Sequence, residues 1–436
     1  MKFIKDTLVT FSTQIVTVIL GIAAAIVIAR VLGPEGKGAY ALIILVPTVL
    51  VALGNLGIGI ANVYFGGRKK YEINELASNS LIAALGLGII SSIAFLIYYH
   101  SFHPSFLRDA DPFCLSLAVM VLPFGLLAMY FSYLLLGQQK INEYNFLHLF
   151  QGGVLTLLIL ALLLGAKTGL LGACSAWAGS VFLGAILSFW LVRRMTDIKW
   201  SFYPAPFKQS VKFGIQGYLG NVIQLLNYRL DMFLVAFFMN VTFVGYYSVA
   251  VALAEALWYF PAAVGVVVIA RTPGLTAEEA NRSTPVICRN TLFLTLGAGV
   301  LLFVLGKFII NLLFGSAFLA AAQPLWILLP GVVALSICKV LSNEITGRGK
   351  PMINTTAAGV SLAVNIPLNL LLIPSMGIAG AALASTISYT MTAVIVLVAF
   401  IRISKNSLFD TVVIKPRDLE IYRGMLAKSR FSFWRK

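Results

Sequence analysis

The sequence predicts an all-α membrane protein with about twelve transmembrane helices in two six-helix bundles. Three observations predict this fold class. Of the 436 residues, 59% are hydrophobic and only 11% are charged, whereas charged residues make up about a quarter of an ordinary soluble domain. Apolar runs long enough to cross a bilayer recur along the whole chain. Finally, a repeat of short motifs relates the two halves of the sequence.

The apolar runs define the predicted spans, and the connections between them are too short to hold a soluble domain. The spans cover residues 7–30, 38–66, 78–99, 113–136, 146–165, 169–192, 213–239, 242–268, 288–314, 322–345, 354–375 and 378–402. We predict an N-terminal six-helix bundle in residues 1–200 and a C-terminal six-helix bundle in residues 201–403. A basic cytoplasmic tail is predicted for residues 404–436.

The basic residues predict the orientation of the spans. The net charge is +16, and most Lys and Arg residues fall on one side of the membrane if the N-terminus is cytoplasmic. The opposite loops hold only Arg30, Lys37, Arg108 and Lys167. Because positive residues concentrate in cytoplasmic loops, this asymmetry predicts that both termini are cytoplasmic. It also explains the basic net charge without a nucleic-acid partner.

Two charged residues, Arg229 and Asp231, lie inside the predicted span 213–239. An embedded charge is costly unless it faces a partner or a water-filled cavity, so it indicates a functional site. Helical spacing gathers a polar stripe beside them, formed by Asn221, Gln224, Tyr228 and Asp231 and bordered by Asn227. Arg229 does not face Asp231 at this spacing and needs a partner on another helix. A buried ion pair that holds two helices together is the alternative interpretation.

Other predicted spans also carry polar side chains. Asn55 and Asn62 are seven residues apart and would share one face of the second span. Lys339 and Asn343 form an i,i+4 pair, and Ser361, Asn365 and Asn369 share a face of the eleventh span. Such groups should face the bundle interior. For single Asn and Ser residues, hydrogen bonding between helices, worth about 0.6 kcal/mol, is the favoured interpretation.

The internal repeat supports a transporter architecture. Gly137-Gln-Gln-Lys-Ile-Asn142 in the first half matches Gly347-Arg-Gly-Lys-Pro-Met-Ile-Asn354 in the second. Two spans follow each motif, and Gly38-Ala-Tyr40 likewise matches Gly245-Tyr-Tyr247. The glycines correspond as Gly137/Gly347, Gly169/Gly377 and Gly172/Gly380. Six spans per half place both halves in the membrane in the same sense, as in transporters built from parallel repeats.

The chain resembles the polysaccharide-unit flippases (Wzx type) of the multidrug/oligosaccharidyl-lipid/polysaccharide exporter superfamily. The motifs that carry this resemblance are Ala29-Arg-Val-Leu-Gly-Pro-Glu-Gly-Lys-Gly-Ala-Tyr-Ala-Leu42, Asn227-Tyr-Arg-Leu-Asp231 and Val244-Gly-Tyr-Tyr-Ser-Val-Ala-Val-Ala-Leu-Ala-Glu255. The resemblance implies a MATE-like V of two six-helix bundles in the inner membrane of a bacterial or archaeal cell. It further implies a secondary transporter, not an enzyme, that flips an undecaprenyl-diphosphate-linked oligosaccharide or polysaccharide repeat unit by alternating access.

For such a cargo we predict both a binding site and a coupling site. Arginine offers a planar fork for phosphate oxygens, and Asn and Gln can bond sugar hydroxyls. The predicted substrate-binding residues are Arg229, Asn221, Gln224, Asn227, Arg30, Gln14, Asn55, Lys339, Asn343, Asn365 and Asn369. No nucleotide-binding G-x-x-x-x-G-K-[S/T] motif occurs, so an ion or proton gradient would drive transport through Asp231 or Glu255. We predict no cofactor and no metal.

Two other functions remain open. A multidrug or cation antiporter of the same superfamily would need a cavity dominated by carboxylates, whereas Arg30, Arg229 and Lys339 favour an anionic cargo. A membrane glycosyltransferase or polysaccharide polymerase would use Asp109 and Asp111, but their loop is short for an enzyme site. The expected partners are a lipid-linked sugar substrate, membrane lipids, a polysaccharide polymerase and glycosyltransferases.

Overall fold

A computed structural model describes residues 2–271 and 276–418, and these residues form helices and connections without a β-strand. The first helices are α1 (Lys2–Gly54), α2 (Ile58–Gly67), α3 (Ile73–Phe102), α4 (Pro112–Met120), α5 (Leu122–Gly137), α6 (Ile141–Ile159), α7 (Gly169–Arg193) and α8 (Pro204–Phe238). The others are α9 (Val241–Ala256), α10 (Tyr259–Arg271), α11 (Ala277–Phe314), α12 (Ala322–Gly347), α13 (Met352–Met376), α14 (Ile378–Ser404) and α15 (Leu408–Val412). The predicted all-α class is confirmed.

The described residues hold nine helical segments that are long and apolar enough to cross a membrane. One of them, Val9–Gly54, bends at Gly33 and covers the first predicted span and part of the second. Helices α9 and α10 meet at an angle of 43°, and they are long and apolar enough for one further span only when taken together. Helix α8 is 35 residues long but more polar. About twelve spans therefore remain consistent with the structure.

Three predicted spans are not continuous helices, and one of them, the span 113–136, is divided at Val121 between α4 and α5. In the span 38–66, α1 ends at Gly54 and α2 begins at Ile58, because Leu56 (φ 48°) and Gly57 (φ 75°) adopt left-handed backbone conformations that end a right-handed helix. Asn55 therefore lies in a turn, and the prediction that it shares a helical face with Asn62 is wrong. In the span 242–268, α9 and α10 are separated at residues 257–258.

The chain divides into two compact units. The first comprises Met1–Val249 and Ile310–Ala320. Its largest fully buried side chains include Tyr130 and Phe131 of α5. Helix α8 packs closely on the turn after α1, since a methyl group on Gly214 would lie 2.3 Å from the carbonyl oxygen of Gly57. The two backbones can approach this closely because both residues are glycines and have no side chain.

The second unit comprises Ala250–Ile309 and Ala321–Lys436. Helices α12 and α14 approach closely here, because a methyl group on Gly331 would lie 2.6 Å from the Cα atom of Thr386. The Thr386 hydroxyl donates to the carbonyl oxygen of Ile327 at 2.6 Å. Small residues with interhelical hydrogen bonds are typical of membrane helix packing. The predicted boundary near residue 200 stays a prediction. The predicted tail residues Arg423, Lys428, Arg430, Arg435 and Lys436 lie outside the described residues.

Candidate functional site

Asp231 of α8 is fully buried in the first unit. Its Oδ2 atom accepts a hydrogen bond from the hydroxyl of Tyr247 at 2.5 Å, and its Oδ1 atom accepts from the backbone N–H of Met232 at 2.8 Å. Tyr247 lies on α9 and is also fully buried. The carboxyl group thus joins two consecutive helices through a short hydrogen bond between buried side chains.

The turn between α8 and α9 brings Asp231 and Tyr247 together. The Asn240 side chain caps the N-terminus of α9. Its Oδ1 atom accepts hydrogen bonds from the backbone N–H groups of Thr242 (3.0 Å) and Phe243 (3.3 Å). At the end of α8, Arg108 Nη2 donates to the carbonyl oxygen of Met239 at 2.9 Å. Both helix ends are therefore fixed by side chains.

Two glycines matched by the repeat touch each other in the first unit. A methyl group on Gly38 would lie 1.7 Å from the carbonyl oxygen of Val241 and 2.7 Å from the backbone nitrogen of Gly245. A methyl group on Gly245 would lie 2.0 Å from the carbonyl oxygen of Pro34. The chain segments that carry the resemblance are thus in backbone contact, two residues from Tyr247.

The predicted polar stripe of α8 is only partly buried. Asn227 is buried, Gln224 and Arg229 are half-buried, and Asn221 is exposed. Gln224 Nε2 donates to the Tyr228 hydroxyl at 2.8 Å. Arg229 Nη1 donates to the Tyr228 carbonyl oxygen at 3.3 Å, a contact within the same helix. Around this stripe the amide and guanidinium groups can present both donors and acceptors to a polar ligand.

Three further residues that were predicted to bind substrate lie in the first unit, and the contacts described here join them to groups other than Asp231. Arg30 donates through Nε to the Leu313 carbonyl oxygen at 2.9 Å and through Nη2 to that of Leu312. It therefore caps the C-terminal end of α11. Gln14 is exposed on α1, and buried Asn55 accepts the N–H of Gly59 at 3.2 Å.

The second unit brings Lys339, Glu255 and Asn343 into one neighbourhood. The Lys339 ammonium lies 4.8 Å from the centre of the Trp258 ring, and it interacts electrostatically with Glu255. Asn343 Nδ2 donates to the carbonyl oxygen of Lys339 at 2.7 Å. The indole N–H of Trp258 donates to the Val332 carbonyl oxygen at 3.0 Å. This arrangement keeps a cation at the break between α9 and α10.

Sequence reasoning missed Trp258, although its position three residues after Glu255 in an apolar run could have indicated it. A desolvated ammonium over an aromatic face gains about 2 kcal/mol. The ring can thus hold Lys339 among apolar helices without neutralising its charge.

The face of α13 that carries Ser361, Asn365 and Asn369 is fully buried, as the spacing predicts. Asn369 Nδ2 donates to Asn365 Oδ1 at 2.8 Å, and the Ser361 hydroxyl donates to the Ser388 carbonyl oxygen on α14 at 3.0 Å. Asn365 Nδ2 and Asn369 Oδ1 have no protein partner within the described part of the chain. These contacts fit helix–helix bonding, with one donor and one acceptor left over.

Segment 405–418 binds α11 through a pair that the sequence did not indicate. Arg289 donates through Nε (2.5 Å) and Nη2 (2.7 Å) to the two carboxylate oxygens of Asp418. Both side chains are buried. The hydrogen bonds from Arg289 lower the pKa of Asp418 from 3.8 to about 2. This part of the predicted tail is therefore docked on the second unit.

Long apolar helices with buried ionisable and amide side chains define a multi-pass membrane protein of the transporter type. The family comparison makes this specific. The chain belongs to the polysaccharide biosynthesis protein family, whose model matches residues 3–269. The resemblance inferred from the motifs is thereby confirmed, and a membrane flippase or transporter is the supported class.

Solved structures share the fold. The lipid II flippase MurJ in an inward closed conformation is 20% identical, with a TM-score of 0.74 over 92% of this chain and 90% of that chain. An inward-facing multidrug resistance MATE family transporter is 18% identical, with a TM-score of 0.71 over 92% of this chain and 98% of that chain. The predicted MATE-like fold is confirmed.

Two curated relatives match over shorter stretches. A probable low-salt glycan biosynthesis flippase of Haloferax volcanii, Agl15, is 24% identical over 192 residues, which are 43% of this chain and 39% of that protein. An uncharacterized membrane protein of Methanocaldococcus jannaschii is 29% identical over 178 residues, 40% of this chain and 34% of that protein. The matches thus span less than half the length of these relatives.

Proposed function

We propose that this protein is a secondary flippase that moves a lipid-linked oligosaccharide or polysaccharide repeat unit across the inner membrane by alternating access. The carrier would be undecaprenyl diphosphate. The observation that carries the proposal is Lys339, a cation held over Trp258 at a helix break in a polysaccharide biosynthesis family member. Discontinuous membrane helices are common places for substrate and ion sites.

The cationic and amide groups suit the two parts of this cargo. Lys339 and Arg229 would bind diphosphate oxygens, because charge-assisted hydrogen bonds to phosphate are strong. The embedded amides would bond the sugar hydroxyls, each offering a donor and an acceptor. These amides are Gln14, Asn55, Asn221, Gln224, Asn227, Asn343, Asn365 and Asn369. Arg30 would contribute mainly through the position of α11, whose end it caps.

A proton or ion gradient would drive the cycle through Asp231 and Glu255. Asp231 is buried and its hydrogen bond to Tyr247 links two helices, so a change in its protonation would alter that link. Glu255 interacts with Lys339, so neutralising it would release the ammonium for the cargo. Each carboxyl group thus makes a contact that a change in its charge would alter.

A cation antiporter is the second candidate, and buried Asp231 is the observation that favours it. Embedded carboxylates attract cationic cargo, whereas Lys339 opposes it. The enzyme alternative has less support from Asp109 and Asp111. Asp111 Oδ1 caps α4 by accepting the Cys114 N–H at 2.7 Å, and Asp109 pairs with Arg108 at 3.6 Å.

The proposed site of action is the inner membrane of a bacterial or archaeal cell, with both termini in the cytoplasm. Glycosyltransferases would supply the lipid-linked unit on the cytoplasmic side, and a polysaccharide polymerase would consume it on the other. Membrane lipids complete the expected partners.

Deletion of the gene tests the function. We expect lipid-linked sugar units to accumulate on the cytoplasmic leaflet, and the wild-type gene to clear them. Lys339→Gln should fail to clear them. Lys307→Gln should succeed, because Lys307 also lies over a tryptophan (Trp326, 5.1 Å) but is exposed. The absence of accumulation in the deletion strain would contradict the proposal.

A further inference from the structure

Residues 405–418 follow α14 directly, include α15 and pack along the N-terminal part of α11. The Asn406 amide donates to the carbonyl oxygen of Asn281 at 2.8 Å. Further along, Arg289 Nη1 donates to the carbonyl oxygen of Asp410 at 3.0 Å. Helix α14 is apolar enough to cross the membrane, and Arg289 lies where the predicted span of α11 begins. These contacts therefore hold the segment close to the membrane surface.

The accessible side of this segment is apolar. Thr411 of α15 is buried, whereas Leu408, Phe409 and Val413 are 50%, 73% and 48% exposed. Water in contact with such side chains is unfavourable. The boundary between the headgroups and the acyl chains of a bilayer accommodates them, as it does the apolar face of an interfacial helix.

The same side of the chain carries positive charge. Both acidic residues of the segment are already paired, Asp418 with α11 and Asp410 with Lys415. Lys405 and Arg417 are exposed and belong to neither of these pairs. The sequence after residue 418 adds five basic residues and one acidic residue. A surplus of positive charge next to the end of a membrane span attracts anionic lipids.

We propose that the exposed side of segment 405–418 binds anionic lipid headgroups of the adjacent membrane leaflet. This surface consists of Lys405, Leu408, Phe409, Val413 and Arg417. Its apolar side chains enter the interface of any bilayer, and its two cations select lipids with a negative headgroup. The surface goes beyond the proposed transport function, because it binds lipids that stay in the leaflet.

Quenching of a fluorophore by spin-labelled lipids tests the proposal on the full-length protein in nanodiscs. A nitrobenzoxadiazole label on Phe409→Cys takes the place of the exposed ring, and the four native cysteines are buried. The nanodiscs contain phosphatidylcholine and phosphatidylglycerol in a fixed ratio, and only the lipid that carries the spin label changes. We expect both lipids to quench, and phosphatidylglycerol to quench about twofold more strongly.

The preference for phosphatidylglycerol should depend on the two cations. Lys405→Gln combined with Arg417→Gln should make the two lipids quench equally. Raising the salt concentration to about 0.5 M should do the same, because salt screens exposed charges. Quenching by phosphatidylcholine should persist in both cases, since the apolar side chains remain.

Two matched controls separate local charge from general lipid exposure. Leu371→Cys places the label on α13 at a residue that is 71% exposed, toward the end predicted on the other side of the membrane. This label should be quenched equally by the two lipids. Lys307→Gln removes an exposed charge elsewhere in the second unit and should leave the preference at residue 409 unchanged.

Equal quenching by the two lipids at residue 409, or a preference that survives the double substitution, would overturn the proposal. Quenching by neither lipid would also overturn it, and energy transfer between labelled copies would then identify a second copy of the chain as the occupant. The readout does not require flipping. Lipid selection by a protein that moves no lipid-linked sugar would therefore contradict only the proposed function.

Discussion

The hydroxyl of Tyr247 donates a 2.5 Å hydrogen bond to Asp231 Oδ2, and both side chains are fully buried. This bond is local in sequence but joins α8 to α9. It places an ionisable group at the contact between two helices, where a change of protonation would alter their packing. The coupling proposal can therefore be tested through the stability of the protein and the pH dependence of its transport.

Tyr247→Phe should lower the free energy of unfolding by about 2 kcal/mol, because a buried carboxyl group loses its donor. Thermal unfolding of the purified protein in detergent measures this. Asp231→Asn keeps an acceptor oxygen and should fold, but it should flatten the pH dependence of transport. Full transport with an unchanged pH profile in Asp231→Asn would eliminate Asp231 as the coupling group.

Gly38 and Gly245 should not tolerate alanine. The added methyl group would lie 1.7 Å from the Val241 carbonyl oxygen in Gly38→Ala and 2.0 Å from the Pro34 carbonyl oxygen in Gly245→Ala. Backbone atoms cannot yield like a flexible side chain, so we expect loss of folded protein in size-exclusion chromatography.

Gly21→Ala is the matched control for these two variants. Gly21 lies in α1 with no atom within 4 Å of an added methyl group. Since alanine favours helix by about 1 kcal/mol over glycine, this variant should be as stable as the wild type or more so. Equal stability of Gly38→Ala and Gly21→Ala would refute the close backbone contact.

Arg30→Ala and Arg108→Ala should both lower stability by about 1 kcal/mol, because each guanidinium caps carbonyl oxygens at a helix end. These are two of the four basic residues predicted on the outer side, and capping explains their presence there. Thermal unfolding and transport should be measured together. If Arg30→Ala abolished transport at unchanged stability, Arg30 would be a direct substrate ligand instead.

The docking of segment 405–418 should depend on pH. Asp418 has a folded pKa of about 2, below its ordinary value of 3.8. Its contribution to docking is therefore complete above the ordinary pKa and is lost as the pH falls through the folded pKa. Amide exchange of this segment, corrected for intrinsic rates, should accelerate between pH 4 and pH 2.

Asp418→Asn should accelerate exchange of the same segment about tenfold at pH 7, since the buried pair with Arg289 is lost. Asp410→Asn is the control. Asp410 pairs with Lys415 in an exposed position, and exposed pairs contribute little. Equal exchange in both variants would show that the Arg289–Asp418 pair does not hold the segment.

Much of the fold follows from hydropathy and spacing, but the helix breaks do not. Apolar residues run through Leu56-Gly57 and Leu257-Trp258, so the breaks leave no gap in hydropathy; they arise from backbone angles and packing. The contact between Lys339 and Asn343, in contrast, was indicated by their i,i+4 spacing. The bonds from Arg30 to α11 and from Arg289 to Asp418 join residues far apart in sequence, and such pairs have no local pattern.

Translocation of a fluorescent undecaprenyl-diphosphate-linked oligosaccharide in proteoliposomes tests the central claim most directly. A membrane-impermeant reductant added outside bleaches only the outer leaflet, so protein-free vesicles should retain about half of the signal. With the protein, bleaching should proceed well beyond half, and Lys339→Gln should abolish the excess while Lys307→Gln retains it. Bleaching that stops at the protein-free level, or equal movement of a labelled lipid lacking the diphosphate sugar, would contradict the account.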